Sequence, residues 1–384
     1  MFFLALLAAP ATAQDFIHYK FDSTCTAEVI NYAAGPASFA GNGVLQSNAA
    51  TQFTGGVFGS ALAAGDETAG TYNRVSSGWI PQNQPINGDL TMAFHVRQLG
   101  NLGSGSHYLI GSGTSGSYRV FSGGIANNGL VARQTIVSGG TPQLTDCQLP
   151  DTAFDFVAAA AAGWVHVALV VEAATASYTW YIDGNPVHSR TGIGAGRING
   201  AGEFRIGSYA TTSPSSSYAF DEFLLARRAY SAAEVQQLAN AAHAGEGDYT
   251  SGIASQCGAG NVTVGSNGTQ PSLGNGGYAI RIASTQSSFF LLLPGLTRCS
   301  YGGVIPLPFD ATPISPELAG CMVVADAVTL LGGVVTTGVP VDLPLPIPGN
   351  PAYFGAPLFF QALTLDLSNL SASMSNGFAV GIGQ

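Results

Sequence analysis

Apolar and polar side chains alternate over many short stretches of the chain, and this period of two predicts β-strands. In residues 89–98, the even positions from Leu90 to Val96 are apolar, whereas Thr91, His95 and Arg97 fall mostly on the other face. Such alternation is typical of a strand with one buried face. Further short strands, each bounded by glycine or serine, are predicted at 107–111, 118–121 and 130–137.

A second group of elements is predicted between residues 164 and 242. The stretch 164–172 is apolar on both faces, which indicates a central strand; its hairpin partner is 178–182, and Asp183-Gly184 favours a tight turn. Ser231 and Glu234 have the spacing of a capping box, which predicts a helix to about residue 242 with Val235 and Leu238 facing inward. Other strands are predicted at 16–21, 203–209 and 219–226.

The order of these elements resembles the end of a laminin-G-like jelly roll, in the concanavalin A-like lectin and glucanase superfamily. The opening residues 19–22, Tyr-Lys-Phe-Asp, are similar to the first strand of such modules, in which the start of the chain pairs with its end. The resemblance implies a jelly-roll sandwich over residues 15–244. It also implies a binding role, since most members of the class bind ligands and only some are enzymes.

The composition changes after residue 244. Residues 245–256 are polar and glycine-rich, and we interpret them as a linker. Twelve of the twenty prolines and none of the six histidines lie in 257–384, where short apolar runs alternate with proline-rich loops. This pattern predicts a second, smaller β-sandwich. The predicted fold class is therefore all-β, a concanavalin A-like jelly-roll sandwich followed by a smaller sandwich.

Several motifs in 257–384 resemble a C-terminal module that recurs on otherwise different exported bacterial proteins. They include Leu-Pro-Phe-Asp at 307–310, Gly-Cys at 320–321 and Leu-Pro-Ile-Pro at 345–348. The resemblance implies a location outside the cell and a disulfide between Cys257 and Cys321, which match the two cysteine positions of that module. Cys299 is additional and could pair with either of them. The pairing of Cys25, Cys147 and Cys299 stays open, because an odd count leaves a free thiol or an intermolecular bond.

Composition narrows the class of function. Charged residues make up 9% of the chain and glycine contributes 51 residues, which suits short strands and tight turns and excludes a helical bundle. The net charge is −10 and Lys20 is the only lysine. No nucleic-acid partner is expected, because nucleic-acid affinity comes largely from clustered cations.

The first residues predict export. Residues 2–8 are apolar and Ala11-Thr-Ala13 is a small-residue cleavage pattern, so we interpret 1–13 as a signal peptide that lacks the usual basic start. The apolar run is too short to span a bilayer, and no later segment supplies about 20 apolar residues. The mature protein is expected to be secreted or at the cell surface, with no transmembrane span.

No catalytic constellation is found in the sequence. Retaining glycosidases of this superfamily present their carboxylates on one strand as Glu-x-Asp-x-x-Glu or a close variant, and the chain contains no such run. Asp221 and Glu222 are neighbours that a strand sends to opposite faces, so we predict a structural role and no catalysis for them. The resemblance to laminin-G-like domains implies that Asp221 ties the last strand to nearby loops. The histidines lack the spacing of a zinc site. The chain is therefore not expected to be an enzyme.

Three aromatic residues are candidates for a ligand-binding platform, because the C–H faces of sugars pack on aromatic rings. Trp79 lies in a loop context, and Tyr209 and Tyr218 flank the polar loop 211–217. The alternative is that these rings only cover the edge of a sheet.

Calcium is the one cofactor that the acidic balance suggests. Hard cations bind several carboxylate and carbonyl oxygens, and four carboxylates fall near predicted loops. The alternative is that they are ordinary solvated loop residues. The four are Asp22, Asp66, Glu67 and Asp89.

The sequence therefore predicts an exported recognition or adhesion protein that binds a glycan or an extracellular protein through its laminin-G-like domain. Two alternatives stay open. One is a polysaccharide hydrolase or lyase with an unrecognised site. The other is a structural protein of the cell envelope.

Overall fold

A computed structural model of the chain describes residues 15–22, 27–33, 40–66, 69–113, 117–138, 141–210, 216–249, 257–258, 260–366 and 368–384. The predicted signal peptide at 1–13, Cys25 and Glu67 lie outside the described residues.

The first unit runs from the first described residue to the end of its second helix. Its strands are β1 Asp15–Tyr19, β2 Glu28–Val29, β3 Gly43–Ser47, β4 Phe53–Gly55, β5 Ser60–Ala63, β6 Asn73–Ser76, β7 Ile86–Gly88, β8 Leu90–Gln98, β9 Ser106–Gly111, β10 Arg119–Gly123, β11 Leu130–Ser138, β12 Thr141–Leu149, β13 Val165–Glu172, β14 Ser177–Ile182, β15 Asn185–Thr191, β16 Gly196–Ile198, β17 Arg205–Ile206 and β18 Tyr218–Ala226. Its helices are α1 Phe156–Ala162 and α2 Ala232–Asn240.

Two eight-stranded antiparallel sheets form this unit, which confirms the jelly-roll sandwich. The covered sheet has the order β15-β14-β13-β8-β18-β5-β4, with β1 also paired to β18. The open sheet has the order β12-β11-β10-β9-β17-β6-β3-β2. The pairing of β1 with β18 joins the start of the unit to its end, as the resemblance implied.

The core lies between the two sheets and follows from the alternation along their strands. Phe94 and Phe220 of the covered sheet meet Ile110 and Val120 of the open sheet, and all four are fully buried. The apolar strand β13 is central, between β14 and β8. The Asp183-Gly184 turn is present, with both residues at positive φ, and it joins β14 to β15.

Helix α2 covers the outer face of the covered sheet. The capping box is confirmed: the Ser231 hydroxyl accepts from the Glu234 N–H, and the Glu234 carboxylate accepts from the Ser231 N–H at 2.7 Å. Val235 and Leu238 are buried against apolar side chains of β8, β13 and β18, as predicted. On the outer face of the open sheet, Ala126 of the short 3₁₀-helix Gly124–Ala126 packs with Phe121 and Val131 and buries them.

The second unit is a smaller β-sandwich, which confirms the predicted fold class. A six-stranded sheet of order β19-β31-β29-β22-β27, with β30 on β29, packs against a three-stranded sheet of order β20-β21-β28. The strands are β19 Gly245–Asp248, β20 Thr263–Ser266, β21 Ala279–Ala283, β22 Ser288–Gly295, β23 Ser300–Tyr301, β24 Ile305–Pro306, β25 Phe309–Asp310, β26 Met322–Val323, β27 Leu331–Val335, β28 Val341–Pro344, β29 Pro357–Asp366, β30 Ser371–Met374 and β31 Phe378–Gly381.

The linker prediction for 245–256 is wrong at its start, because Gly245–Asp248 is strand β19 and pairs with β31. The glycines that suggested a linker permit close packing instead. A Cβ at Gly245 would lie 2.6 Å from the Tyr32 carbonyl oxygen, and one at Gly247 would lie 2.5 Å from Ile30. Residues 250–256 lie outside the described part of the chain.

The two units pack directly against each other. A buried apolar cluster joins Ile30 and Tyr32 of the first unit to Tyr249 and Phe359 of the second. Beside it, the Arg298 guanidinium donates to the Glu28 carboxylate at 2.9 Å. The second unit therefore packs against the part of the first unit that contains Glu28, Ile30 and Tyr32.

One cysteine pairing was implied by the resemblance to the C-terminal module, and the structure contains it. Cys257 and Cys321 are disulfide-bonded, with their Cα atoms 5.4 Å apart, which confirms that pairing. Cys299 is also disulfide-bonded, and Cys147 is a free, buried thiol. No helix in the described parts of the chain is both long and apolar enough to cross a membrane.

Candidate functional site

The outer face of the open sheet carries a group of aromatic and arginine side chains. We call it the arginine–tyrosine face and define it as Tyr108, Arg119, Phe121, Arg133 and Tyr209. These residues come from β9, β10, β11 and the segment just after β17, which are consecutive in the order of the open sheet. The face therefore forms one continuous surface, although its members are far apart in the sequence.

Strand alternation and one irregularity place these side chains outside. Val120 and Ala132 point into the core, so their neighbours Arg119 and Arg133 point outward. The register between β9 and β10 shifts between Val120 and Phe121, a β-bulge of the kind that re-aims side chains. Phe121 is 2% exposed beneath the face, whereas both tyrosines and both arginines are half-buried.

The two tyrosines form the centre of the face. The ring centroids of Tyr108 and Tyr209 lie 4.3 Å apart, and the Arg119 guanidinium carbon lies 5.8 Å from each. That distance permits a cation–π contact with both rings, which holds the guanidinium near their surface. The Nε atom of Arg119 has no hydrogen-bond partner among the described residues. That Nε atom is buried, so the arrangement offers aromatic surface beside the half-buried guanidinium of Arg119.

Gly111 makes room for Tyr209. A Cβ at Gly111 would lie 2.4 Å from the Tyr209 Cβ and 2.8 Å from its Cα, closer than carbon atoms can approach. The Tyr209 backbone is fixed in addition by the Gly113 N–H, which donates to the Tyr209 carbonyl at 2.8 Å. The tyrosine is thus held by its backbone while part of its ring stays exposed.

Arg133 forms the second cationic point of the face. Its guanidinium donates to both oxygens of Asp146 at 2.7 Å and lies 5.5 Å from the Phe121 ring. The hydrogen bond to Asp146 raises the pKa of Arg133. Two-point pairing fixes the plane of the guanidinium, which leaves its remaining N–H groups in a defined direction.

The arginines lie in one cross-strand row. Arg133 is directly opposite Arg119, Arg119 is opposite Gly111, and Gly111 is opposite Arg205. Like charges directly opposite each other destabilise a sheet, so folding alone does not favour this arrangement. The carboxylates on the row are Asp146, paired with Arg133, and Glu203, 3.4 Å from Arg205. Arg205 is 5% exposed, so the row presents the guanidinium groups of Arg119 and Arg133 at the surface.

Of the predicted platform residues, only Tyr209 belongs to this surface. Trp79 is 1% exposed, packs on Phe16 and Phe204, and donates its indole N–H to the Gln84 carbonyl. Tyr218 is fully buried at the start of β18. The prediction is wrong for Trp79 and Tyr218, because both rings turn inward and complete the core between the sheets.

The sequence analysis missed Tyr108, Arg119, Phe121 and Arg133. A signal for the two arginines was present, since each interrupts an otherwise apolar strand in a chain with only 12 lysines and arginines. The two arginines lie near Tyr209 only because β9 pairs with β17, a strand about a hundred residues away in the sequence. A local sequence pattern does not predict that pairing.

The two carboxylates considered for catalysis, those of Asp221 and Glu222, are buried and hold parts of the fold together. Asp221 is fully buried and accepts from the Val57 and Phe58 N–H groups at 2.7 and 3.0 Å, which confirms that it ties the last strand to a loop. Glu222 follows at φ 47°, a left-handed conformation, and its carboxylate accepts from His18 and Lys20. These contacts place the pair inside the fold, away from the arginine–tyrosine face.

Three of the four carboxylates considered for calcium each accept a hydrogen bond from a backbone N–H, and the fourth, Glu67, lies outside the described residues. Asp22 accepts from the Ser60 N–H, Asp66 from the Ala69 N–H and Asp89 from the Ala173 N–H. Within the described residues, no group of three or more histidine, cysteine, aspartate or glutamate side chains could hold a metal ion.

Asp22 gives a prediction about pH. Burial and the nearby Glu222 charge raise the pKa of Asp22 to about 8 from 3.8, and its Oδ2 has no hydrogen-bond partner. The unfolded chain therefore loses this proton well before the folded chain does, so the carboxyl increasingly destabilises the fold from about pH 4 to about pH 8. Asp22→Asn keeps the acceptor for Ser60 and removes the ionisation.

We expect Asp22→Asn to become more stable than wild type as pH rises through that range, by on the order of 5 kcal/mol at its upper end. Urea unfolding of both proteins over the range measures the difference. Asp89→Asn, at an exposed turn, is the control and should show no such trend. A difference that does not vary with pH would contradict the assignment.

Comparison with known proteins gives the family of the first unit. Residues 68–236 match the family model described as the concanavalin A-like lectin/glucanases superfamily. The match covers this segment and not the rest of the chain. We therefore call the first unit the lectin-like unit. The match ends within α2, and the arginine–tyrosine face lies inside it. No curated protein matches the chain.

Several solved structures are similar to the chain. Domain 4 of an extracellular arabinanase from Geobacillus stearothermophilus, in complex with arabinotriose, has 17% identity and a TM-score of 0.41, covering 60% of this chain and all of that one. The binding domain of Paraclostridial Mosquitocidal Protein 1 has 13% identity and a TM-score of 0.41, covering 71% and 65%. The binding domain of botulinum neurotoxin serotype D/C has 9% identity and a TM-score of 0.39, covering 95% and 94%.

Proposed function

We propose that the protein is an extracellular recognition protein whose arginine–tyrosine face binds an anionic glycan. The observation that carries the proposal is the pair of half-buried tyrosines with the Arg119 guanidinium against both rings. Aromatic surface suits the C–H faces of sugar rings, and arginine suits carboxylate or sulfate groups, because its N–H groups match two oxygens.

The accessibility of this face supports the same assignment. Helix α2 covers the outer face of the opposite sheet, whereas the tyrosines and arginines on the open sheet are each partly exposed, so a chain-like ligand can contact them there. Arg119 and Arg133 are half-buried and directly opposite each other on neighbouring strands, which are about 4.8 Å apart, so they can meet charged groups on successive sugar units. A uronate-containing or sulfated polysaccharide has this repeated charge.

Binding without catalysis fits the chemistry of the face. The two carboxylates beside it, those of Asp146 and Glu203, are each paired with an arginine. A glycosidase needs one carboxyl that keeps its proton as general acid and a second carboxylate opposite it. We therefore propose a recognition role and no hydrolysis, at a secreted or cell-surface location.

A panel of immobilised glycans tests the proposal, with uronate-containing and sulfated polysaccharides compared with neutral ones. We expect the wild type to bind anionic members, more weakly as salt increases because exposed charges are screened. Arg119→Gln should lower affinity about tenfold or more. Arg190→Gln, an exposed arginine on the edge strand β15 of the covered sheet, is the matched control and should bind as wild type.

Equal losses for Arg119→Gln and Arg190→Gln would show that only net charge matters and would contradict a site on this face. Equal binding to neutral and anionic glycans would contradict the ligand class. Release of reducing ends from any member would favour the hydrolase alternative instead.

A further inference from the structure

The outer face of the open sheet continues beyond the arginine–tyrosine face. In the order of this sheet, β9 is followed by β17, β6 and β3. Val75 of β6 points into the core, so its neighbour Arg74 points outward, as does Tyr72 two positions before Arg74. Gln46 of β3 is directly opposite Arg74 and lies on the same side. The sheet therefore carries a second group of aromatic and polar side chains on this surface.

The ring of Tyr72 is the centre of the second group. The Arg74 guanidinium carbon lies 4.3 Å from the centroid of this ring, so the guanidinium stacks on one face of it. Arg74 is 5% exposed, whereas Tyr72 is half-buried. The guanidinium therefore supports the ring on one face, and the rest of the ring is partly open to a ligand.

Two amide side chains flank the ring. The side-chain carbonyl oxygen of Gln46 accepts from Nε of Arg74 at 2.9 Å, and that of Asn48 accepts from the Tyr72 backbone N–H at 2.5 Å. Because both amide oxygens are used in this way, each side chain offers its NH₂ group to a ligand. Neither amide nitrogen has a hydrogen-bond partner among the described residues, and both residues are at least partly exposed. We call Gln46, Asn48, Tyr72 and Arg74 the amide–tyrosine group.

The amide–tyrosine group is connected to the arginine–tyrosine face. Nη1 of Arg74 donates at 3.0 Å to the carbonyl oxygen of Ala210, the residue after Tyr209. Strand β6 is two strands away from β9, which carries Tyr108, and this is a separation of about 10 Å at about 4.8 Å per strand. A single sugar ring is shorter than this separation. A glycan that contacts both groups is therefore a chain of several sugar units.

The two groups differ in the charge that they offer. Arg119 and Arg133 of the face are half-buried, so their guanidinium groups reach the surface. Arg74 is buried, and it already donates to Gln46 and to a backbone carbonyl. What the amide–tyrosine group offers is aromatic surface and neutral amide donors, which suit the C–H faces, hydroxyl oxygens and ester or acyl oxygens of an uncharged sugar.

We propose that the amide–tyrosine group is a second subsite, which binds an uncharged sugar unit of the glycan whose charged units lie on the arginine–tyrosine face. This inference rests on the proposed function, because it extends the same binding surface. The preferred glycan then has charged and uncharged units in one chain. A chain in which every unit is charged is bound less tightly, because it places a charge at the second subsite without an exposed cation to pair with it.

Calorimetric titration with galacturonate oligosaccharides tests the proposal. A decamer with half of its carboxylates methyl-esterified has charged and uncharged units, whereas the unesterified decamer is charged throughout. We expect Tyr72→Ala to lower the affinity for the half-esterified decamer about tenfold or more and to leave the affinity for the galacturonate dimer unchanged, because the dimer is too short to reach Tyr72 from the face. Tyr353→Ala, at an exposed tyrosine of the second unit, is the matched control and should bind as wild type. Near-UV circular dichroism establishes that each variant is folded.

The two decamers also give a comparison within the wild type. We expect the half-esterified decamer to bind about threefold or more tightly than the unesterified one, although the unesterified decamer carries more charge. The reverse preference, or equal effects of Tyr72→Ala and Tyr353→Ala, would overturn the second subsite and leave the proposed function standing. So would a wild type that binds other anionic glycans but neither decamer. A wild type that binds no anionic glycan would contradict the proposed function itself.

Hydroxyl-radical footprinting gives a readout that needs no variant. The half-esterified decamer should protect Tyr72 together with Tyr209, because it reaches both groups, whereas the galacturonate dimer should protect Tyr209 only. A bound decamer that leaves the reactivity of Tyr72 unchanged would overturn the second subsite.

Discussion

Replacing Glu222 by alanine is expected to lower the free energy of unfolding by about 3–5 kcal/mol, because it leaves a buried charge without a partner. Lys20 is fully buried, and its Nζ lies 3.1 and 3.3 Å from the two Glu222 oxygens. Nε2 of His18, also buried, lies 2.8 Å from the same carboxylate. Burial alone would raise the pKa of Glu222, but Lys20 and His18 hold it at about 2.

The buried Lys20–Glu222 pair lies where the two units meet, so its loss is expected to destabilise both of them. Lys20 also donates to the His243 carbonyl, and Gly381 of the second unit lies against its side chain, so that a Cβ there would come within 2.6 Å of the Lys20 Cε. Loss of Glu222 therefore removes the counter-charge where β1, β18 and the second unit meet. Burial and the Lys20 charge lower the pKa of His18 to about 4, so at neutral pH His18 cannot compensate.

Urea unfolding at neutral pH measures the effect, with Glu172→Ala as the control. Glu172 is exposed at the end of β13, and its loss should change stability by less than about 0.5 kcal/mol. The double variant Lys20→Met/Glu222→Ala should lose less than the two single variants combined, because neither charge is then left alone. Additive losses would contradict the direct pairing.

Removal of the Cys257–Cys321 disulfide is the second large effect. The bridge closes a separation of 64 residues, and opening a loop of that length costs about 4 kcal/mol in the chain-entropy model. The bridge also anchors the segment whose Leu307, Leu318 and Val323 pack around it. We expect the double variant Cys257→Ser/Cys321→Ser to unfold at clearly lower denaturant concentration.

Cys147→Ala is the control for this prediction, because Cys147 is a free buried thiol in the lectin-like unit and closes no loop. It should cost about 1–2 kcal/mol through lost packing. A double variant within about 1 kcal/mol of wild type would show that the segment around the bridge is held by packing alone.

The elements that could be predicted from the sequence are those whose signal is local. The alternation around Phe94 gave β8, and the Ser231–Glu234 spacing gave the start of α2, because both depend on residues within one turn or one strand. The strand predicted at 203–209 is only Arg205–Ile206 in the structure, since Gly207 at φ 89° ends it. Helix α1, an alanine-rich segment without strong amphipathic pattern, was not predicted.

The candidate site could be predicted only in part, because it depends on register between distant strands. Tyr209 was recognised because it lies beside a polar loop in the sequence. Its contact with Tyr108, and the placement of Arg119 and Arg205 opposite Gly111, depend on strand pairings across the open sheet. The error over Trp79 has a similar cause. A loop residue beside Gly78 has no local feature that tells whether its ring turns outward or into the core.

The location of the ligand is tested most directly by hydroxyl-radical footprinting of the tyrosine side chains. The protein is labelled with and without a saturating anionic oligosaccharide from the panel, and modification of each tyrosine is measured by mass spectrometry. Tyr353, 43% exposed on the second unit, is the internal control. The account predicts that Tyr108 and Tyr209 lose reactivity while Tyr353 keeps it. Unchanged reactivity of Tyr108 and Tyr209 in a protein that has bound the oligosaccharide would contradict the arginine–tyrosine face as the binding site.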